Sequence, residues 1–290
     1  MLQINPLSFD HAKFHRLLLG SIAPRPIALA STIDADGIPN LSPFSFFNAF
    51  GVNPATLIFS PSRRGRDNTT KHTYENLKEI PEVVINVVTY NMVQQTSLSS
   101  TEYPRGVNEF IKAGFTPLSS DMIRPFRVQE SPVQFECRVR QIVETGDGPG
   151  AGNLVICDIL LMHVEEKILN ENKEIDQDKI DLVGRMGGDY YVRTSGEHKF
   201  TVVKPLTSMG IGIDSLPAQI RFSKNLSGND LGQMGNLNQL PAEEHIEVYK
   251  KDMALSVKYT SDPYSLFKDA KNLIQAGKPS DALALLLAFV

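Results

Sequence analysis

The chain has few of the features that would restrict its function at first sight. Only two cysteines occur in 290 residues, too few for a disulfide framework. Cys137 lies in the alternating run Val133 to Val139, and Cys157 in a nearly continuous apolar strand. Free cysteine in such places behaves as a small buried hydrophobe. No apolar run approaches the ~18 residues of a membrane span, and no N-terminal signal pattern is present. A cytoplasmic protein without a membrane partner is therefore expected. Net charge is −4 with both signs interspersed, which recommends neither nucleic acid nor an anionic surface as partner. The six histidines show no metal-ligand spacing: His11 and His15 stand one helical turn apart, but no carboxylate or cysteine completes a set. No metal is expected. Neither a Walker-type Gly-Lys-Ser/Thr nor a GxGxxG follows a predicted strand, so the ordinary triphosphate and dinucleotide cradles are excluded. No internal repeat is evident, and the Gly/Asn-rich stretch Ser227 to Asn238 lacks the spacing of a calcium loop.

What is present concentrates between residues 20 and 73. Ile27 to Thr32 reads as a buried strand, Asp34-Ala35-Asp36-Gly37 as a turn, and Asn40 to Phe50 as a second strand. Alternation along that second strand puts Phe44 and Phe46 on one face, Ser45 and Phe47 on the other. Hydroxyls beside aromatics on adjoining strands suit a flat heteroaromatic ligand; the plainer reading is a core hairpin with incidental serines. A third strand, Ala55 to Phe59, leads into Ser60-Pro-Ser-Arg-Arg-Gly-Arg-Asp-Asn-Thr-Thr-Lys-His-Thr73. This segment opens a helix that carries Tyr74, Leu77 and Ile80 and stops at Pro81. Three arginines, a lysine and several hydroxyls at a helix start suit an anion, phosphate above all. The alternative is a solvated basic loop in which Asn68, Thr69 or Thr70 serves only as N-cap.

In order and spacing these motifs resemble the flavin-reductase-like, FMN-binding split-barrel family, in its flavoredoxin-like branch. The resemblance rests on APRPIALAST (23–32), the DADG turn with Pro39-Asn40, LSPFSFFN (41–48), and the segment ending Lys71-His72-Thr73 before Asn76. It continues through Val83 to Val88, Ser97 to Ser100, Tyr103-Pro-Arg-Gly106, Gly114 to Leu118 and the strand Asn153 to Val164, roughly residues 10 to 168. The resemblance implies a mainly β, Greek-key split barrel with helices at Ser8 to Leu19, Thr70 to Ile80 and about Met92 to Ser99. Residues 1–168 would form that domain, and 169–290 an extension packed on the barrel or on a dimer partner.

By position, Ser31 and Thr32 would lie near the ribityl chain and ring edge. Ser45, Phe47 and Asn48 would border the isoalloxazine, and Ser60, Ser62, Arg64, Asn68, Thr70, Lys71 and Thr73 would hold the phosphate. The family's site lies at a homodimer interface, and hydride transfer to the flavin requires no catalytic residue of the protein. Two departures stand out: Lys71-His72-Thr73 where relatives often have Lys-Asp-Thr, and Gly152-Asn153 with Cys157 where many have Gly-Asp-His and a later glycine. That histidine helps seat the nicotinamide, so direct turnover of NADH or NADPH should be slow. The implied function is an FMN-dependent oxidoreductase, a flavin reductase or electron carrier serving a small-molecule or protein redox partner. Alternatives are a non-catalytic flavin-storage protein and a related split barrel acting on a phosphorylated pyridine.

After Lys167 the chain changes character. Residues 170–181 read as a charged surface connection. Leu182 to Tyr191 would pack back toward the cofactor side, with Arg185 and Tyr190 lining the pocket, or else form a turn resting on the barrel. A linker (204–217), a loop (Ser227 to Asn238) and a helical tail (Asp262 to Val290) complete the expectation.

Overall fold

β1 (Ala28–Ile33) is buried at every position, as its apolar and β-branched sequence anticipates. It is flanked on both sides by antiparallel partners, β2 (Pro39–Phe44) and β5 (Glu82–Val87). Next come β3 (Phe47–Val52), β4 (Ala55–Phe59), the short pair β6 (Pro117–Leu118) and β7 (Arg127–Val128), and the long strands β8 (Val133–Glu144) and β9 (Asn153–Val164). Seven of them form one antiparallel sheet in the order β2-β1-β5-β8-β9-β4-β3. This computed structural model describes residues 1–205 and 209–290.

The order of strands forces the sheet to curl. β2 and β3 sit at opposite edges, about 29 Å apart if the sheet were flat. Only Ser45 and Phe46 join them, and three residue steps span at most about 10 Å. The edges must therefore approach, and Phe44 of β2 does meet Phe59 of β4, ring centroids 5.5 Å apart. Inward side chains from six strands, Ala28, Phe44, Leu57, Val83, Cys137 and Cys157 among them, share one core cluster. β2 and β3 are not hydrogen-bonded to each other, so the curl stays open at that seam and no closed barrel forms. The single strand expected from Asn40 to Phe50 is in fact two. Its break at Ser45-Phe46 is where the chain passes from one edge to the other.

Helices surround this sheet. α1 (His11–Ser21) is capped by Asp10, α2 (His72–Glu79) starts from Lys71, and α3 (Val93–Leu98) and α4 (Glu109–Ala113) follow β5. α2 places Leu77 in the inner core and ends at Pro81. The hairpin β10 (Val183–Arg185) and β11 (Tyr191–Arg193) belongs to the same unit, because Arg25 bridges Arg185 and Thr89 bridges Leu182. The compact units accordingly divide as Met1–Phe200 and Thr201–Val290, whereas the family resemblance extends to about residue 168.

The second unit is helical: α5 (Ala218–Arg221), α6 (Gly228–Gly235), α7 (Glu243–Lys250), α8 (Met253–Ser261), α9 (Pro263–Gln275) and α10 (Pro279–Phe289). Pro263 and Pro279 stand in the first turns of their helices, where their fixed φ and missing N–H do no harm. Ala282 to Leu286 are all buried, so the apolar tail is a core helix of its own unit. With 33% helix and 24% strand, the chain is not mainly β; that description suits the sheet unit alone. The stretch expected as a loop, Ser227 to Asn238, contains α6. Ser227 and Asp230 form a capping box, and Met234 is fully buried. Gly235 is needed there, since a Cβ would come within 3.0 Å of the backbone at Gly212 and Ile213. Residues 206–208 of the expected linker lie outside the described residues.

Candidate functional site

The passage from β2 to β3 builds a cavity of about 430 Å³ lined by Pro43, Phe44, Ser45, Phe46, Ser60 and Ser62, by Arg63 to Arg66 and Lys71 of the basic segment, and by Glu102. That volume suits a small-molecule ligand. Phe46 is 40% exposed at its rim. Ser60 and Ser62 share a hydroxyl–hydroxyl contact of 3.3 Å. Behind them, Asn153 donates its main-chain N–H to Ser60 Oγ at 3.0 Å and its amide to the Pro61 carbonyl at 3.0 Å.

The basic segment folds back on itself at the other end. Arg64 N–H donates to the Thr69 carbonyl (2.9 Å), and Asn68, in the left-handed region at φ 60°, donates to the Arg64 carbonyl (3.0 Å). Arg63 clamps Asn68 through Oδ1 (2.7 Å) and the carbonyl (2.6 Å). Arg64 reaches Thr69 Oγ1 at 2.9 Å and Glu102 at 3.1 Å. Arg66 bonds both Asp67 and Glu102, and Lys71 Nζ stands 3.9 Å from Glu102. Four basic side chains, Arg63, Arg64, Arg66 and Lys71, are gathered here with two carboxylates, Asp67 and Glu102, which pair with the last three, an excess of two positive charges. Burial and then the Arg64 charge hold the Lys71 ammonium below its ordinary pKa, with Glu102 acting the other way. The corner is short of negative charge, and a ligand dianion would supply it.

Of the twelve candidates, Ser45, Ser60, Ser62, Arg64 and Lys71 line this cavity. Thr73 is buried and donates to Asn40 Oδ1 at 3.3 Å beside a smaller cavity of about 30 Å³. Thr70 bonds Glu75 and Asn68 holds Arg63, so both shape the segment rather than line the cavity. Lys71, not Asn68, Thr69 or Thr70, occupies the N-cap position of α2, without a side-chain cap bond. Phe47 packs on the inner core and Asn48 is exposed. Ser31 and Thr32 are wholly buried in β1. Thr32 accepts from Asn76 at 3.2 Å, while Ser31 Oγ has no hydrogen-bond partner among the described residues.

Arg185 and Tyr190 do not line the cavity. Arg185 stacks 4.6 Å from the Tyr191 ring, while Tyr190 is 78% and Tyr191 42% exposed, so the segment is a hairpin whose tyrosines are not buried against the barrel either. Cys157 is buried within the core, and burial holds its thiol well above the usual range, as it pushes Cys137 to about 12.

Sequence reading missed Arg25 and Glu102. Arg25 is 4% exposed. It donates to the carbonyls of Leu19 (2.6 Å), Ile22 (2.5 Å) and Met186 (2.9 Å), and its Nε lies 3.4 Å from Ser45 Oγ. It ties α1, the hairpin and the cavity wall together. Its position between two prolines was the available signal. Glu102 offered none, being far in sequence from its partners. One group that could hold a metal ion, Asp121, Glu136 and His163, was also missed. Its buried member, Glu136, already accepts from the N–H groups of Asp121 (2.8 Å) and Met122 (2.6 Å) and meets His163 Nε2 at 2.7 Å.

The site is thus an aromatic-walled cavity with a cationic end, set on a curled antiparallel sheet. Residues 19–180 match the flavin reductase like domain, more than half the chain, and the protein belongs to that family. A protein of Aquifex aeolicus is 39% identical over 193 residues, 67% of this chain and 96% of that protein. Nitrilotriacetate monooxygenase component B from Bacillus cereus is 27% identical with TM-score 0.64, over 69% of this chain and 98% of that one. The 2-nitrobenzoate 2-nitroreductase of Pseudomonas fluorescens is 26% identical with TM-score 0.61, over 72% and 100%. Family and neighbours make the chain a flavin-related oxidoreductase with a flavin as its cofactor class. The helical unit lies beyond the residues that match the family.

Proposed function

We propose that the chain binds FMN non-covalently, with its phosphate on Arg64, Lys71, Ser60 and Ser62 and its ring against Phe44, Ser45 and Phe46, and passes electrons through it. The observation that carries this reading is the excess of two positive charges at one end of an aromatic cavity, since a phosphate monoester brings nearly two negative charges at neutral pH. When bound, the flavin supplies the hydride and electron chemistry, and the protein supplies position and field. Ser45 offers a hydroxyl at the cavity wall, steadied by Arg25. Arg64 and Lys71 neutralise the phosphate, and the Phe44–Phe59 pair excludes water below the ring.

The reading favours an electron carrier over a rapid NADH or NADPH reductase. Asn153, in the Gly152-Asn153 pair that stands where many relatives have Gly-Asp-His, is 1% exposed and engaged with Ser60 and Pro61. It has neither room nor freedom to meet a second substrate. A split barrel completed by an isologous homodimer fits the edge strand β3, which leaves Phe50 65% and Val52 93% exposed. An open apolar edge of this kind calls for a cover.

The test is a pair of fluorescence titrations, FMN and riboflavin, on wild type and Lys71→Ala. Loss of one charge-assisted bond, worth about 1.5–3 kcal/mol, should weaken FMN about ten- to a hundred-fold and leave riboflavin unchanged. Equal weakening of both ligands would mean that Lys71 holds the fold and not a phosphate. Purified protein should also release FMN on heating and run near twice 32.1 kDa.

A further inference from the structure

Glu102 is the acidic side chain among the residues lining the cavity, and it comes from the segment between α3 and α4, not from the element that carries the cations. Its oxygens stand where those cations converge. Oε1 accepts from Arg64 Nε at 3.1 Å and lies 3.9 Å from Lys71 Nζ, while Oε2 is bonded by Arg66. The carboxylate therefore occupies the position that an incoming phosphate would take. Although burial works against it, the charges of Arg66 and Arg64 hold its carboxyl below the ordinary range, so it stays ionised throughout the neutral range. Glu102 also lines the smaller cavity, with Asn40, Ser99, Ser100, Thr101 and Tyr103. It stands as a partition between the two spaces, and the smaller one is hydroxyl-rich.

We propose that Glu102 is a resident counter-anion of the cradle that a ligand phosphate displaces, so that Glu102 sets the affinity and the charge selectivity of the site. This rests on the reading of Arg64 and Lys71 as the phosphate site. With no ligand bound, the carboxylate keeps Arg64, Arg66 and Lys71 together against their mutual repulsion. On binding, phosphate oxygens take over Arg64 and Lys71, and the carboxylate turns toward the hydroxyls of Thr101 and Tyr103, since those of Ser99 and Ser100 already donate to the Thr96 and Ser97 carbonyls. A ligand bringing a single charge only exchanges one carboxylate-like partner for another and gains little. A phosphate dianion brings one charge more than it displaces, and lowers the net excess of the corner from two positive charges to one.

The experiment titrates FMN, riboflavin and inorganic phosphate (by its competition with FMN) against wild type, Glu102→Gln and Glu102→Asp, each first checked for native far-ultraviolet circular dichroism. Removing the competing charge while keeping its shape should tighten FMN roughly tenfold, the combined loss of three exposed ion pairs. Inorganic phosphate should compete better by a similar factor, riboflavin should not change, and Glu102→Asp should stay near wild type. A side chain that merely organised the arginines would give the opposite sign on removal. If wild type prefers FMN to riboflavin but Glu102→Gln binds FMN no more tightly, the displacement is wrong and the phosphate site stands. If wild type shows no preference for FMN, the phosphate site itself is wrong and the displacement falls with it.

Discussion

Buried polar side chains are unevenly divided between the two units. Arg25, Asn86, Gln134, Glu136 and Asn153 lie within Met1–Phe200, whereas Ser265 is the sole buried polar residue described in Thr201–Val290. The difference follows from backbone accounting. A helix satisfies its interior N–H and C=O groups itself and asks only for caps, such as Asp252 on α8 and Asp262 on α9. Its core can then be purely apolar, as in Ile220, Met234, Leu266, Ile274 and Leu283. A curled sheet with an open seam leaves groups in its loops and edges unpaired, and these need side-chain partners. Asn86 serves Leu29 and Val128, Gln134 serves Val128 and Ser131, and Arg25 serves three carbonyls. The same supply of fixed polar groups is what a ligand site is made from, and the cavity lies in the unit that has them.

The contrast can be broken most forcefully in the helical unit. Leu283 is fully buried in α10, and Leu283→Ala should cost about 2–5 kcal/mol by loss of packing and a residual cavity. Urea unfolding followed by circular dichroism should show the helical transition shifted, with FMN affinity within about twofold of wild type. A large loss of FMN binding would mean that the cavity depends on the helical unit.

A smaller effect is expected from Asn153→His. The change would strand the Pro61 carbonyl and crowd Ser60, costing about 1–3 kcal/mol and weakening FMN. Restoring a histidine here is therefore expected to lower stability rather than to speed NADH turnover, because Asn153 is buried and bonded to Ser60 and Pro61. A stable variant with raised NADH turnover would count against this placement.

The subtlest test concerns pH. Burial alone would raise the Glu136 carboxyl, but the Asp121 and Met122 N–H groups and His163 outweigh it and hold the carboxyl below its usual 4.5. A group depressed in the folded state contributes stability that is complete above its unfolded value and is lost as pH falls through the folded one. The stability gap between wild type and Glu136→Gln should therefore narrow as pH is lowered from about 5 toward 3, as read from urea midpoints. A gap independent of pH would place the contribution in packing alone.

Much of the sheet unit was legible because its signals are local. β4 falls at the expected residues, Ala55–Phe59, where an apolar run meets turn residues, and β9 at Asn153–Val164, the strand named in the family resemblance. The cation-rich segment was legible from composition, since three arginines and a lysine in nine residues admit few other uses. Its internal wiring was not: Asn68 and Thr70 were expected at the ligand, and they hold Arg63 and Glu75 instead. Their chemistry is the same in either role, and only the path of the chain tells the two apart. For the helical unit, three glycines hid α6, because the capping box and the close approach at Gly235 outweigh their poor helix propensity.

The sequence by itself determined the apolar strands Ala28–Ile33 and Ala55–Phe59, the helical character of the tail from Asp262, and the concentration of positive charge between Arg63 and Lys71. These depend on dihedral preference, side-chain period and formal charge, which act within a few residues. The tertiary structure alone decided that the strand breaks at Ser45-Phe46, that Arg25 is buried among carbonyls, and that Glu102 stands among the cations. Each of those depends on which distant segments the curl of the sheet brings within hydrogen-bond reach, and no local preference encodes that distance.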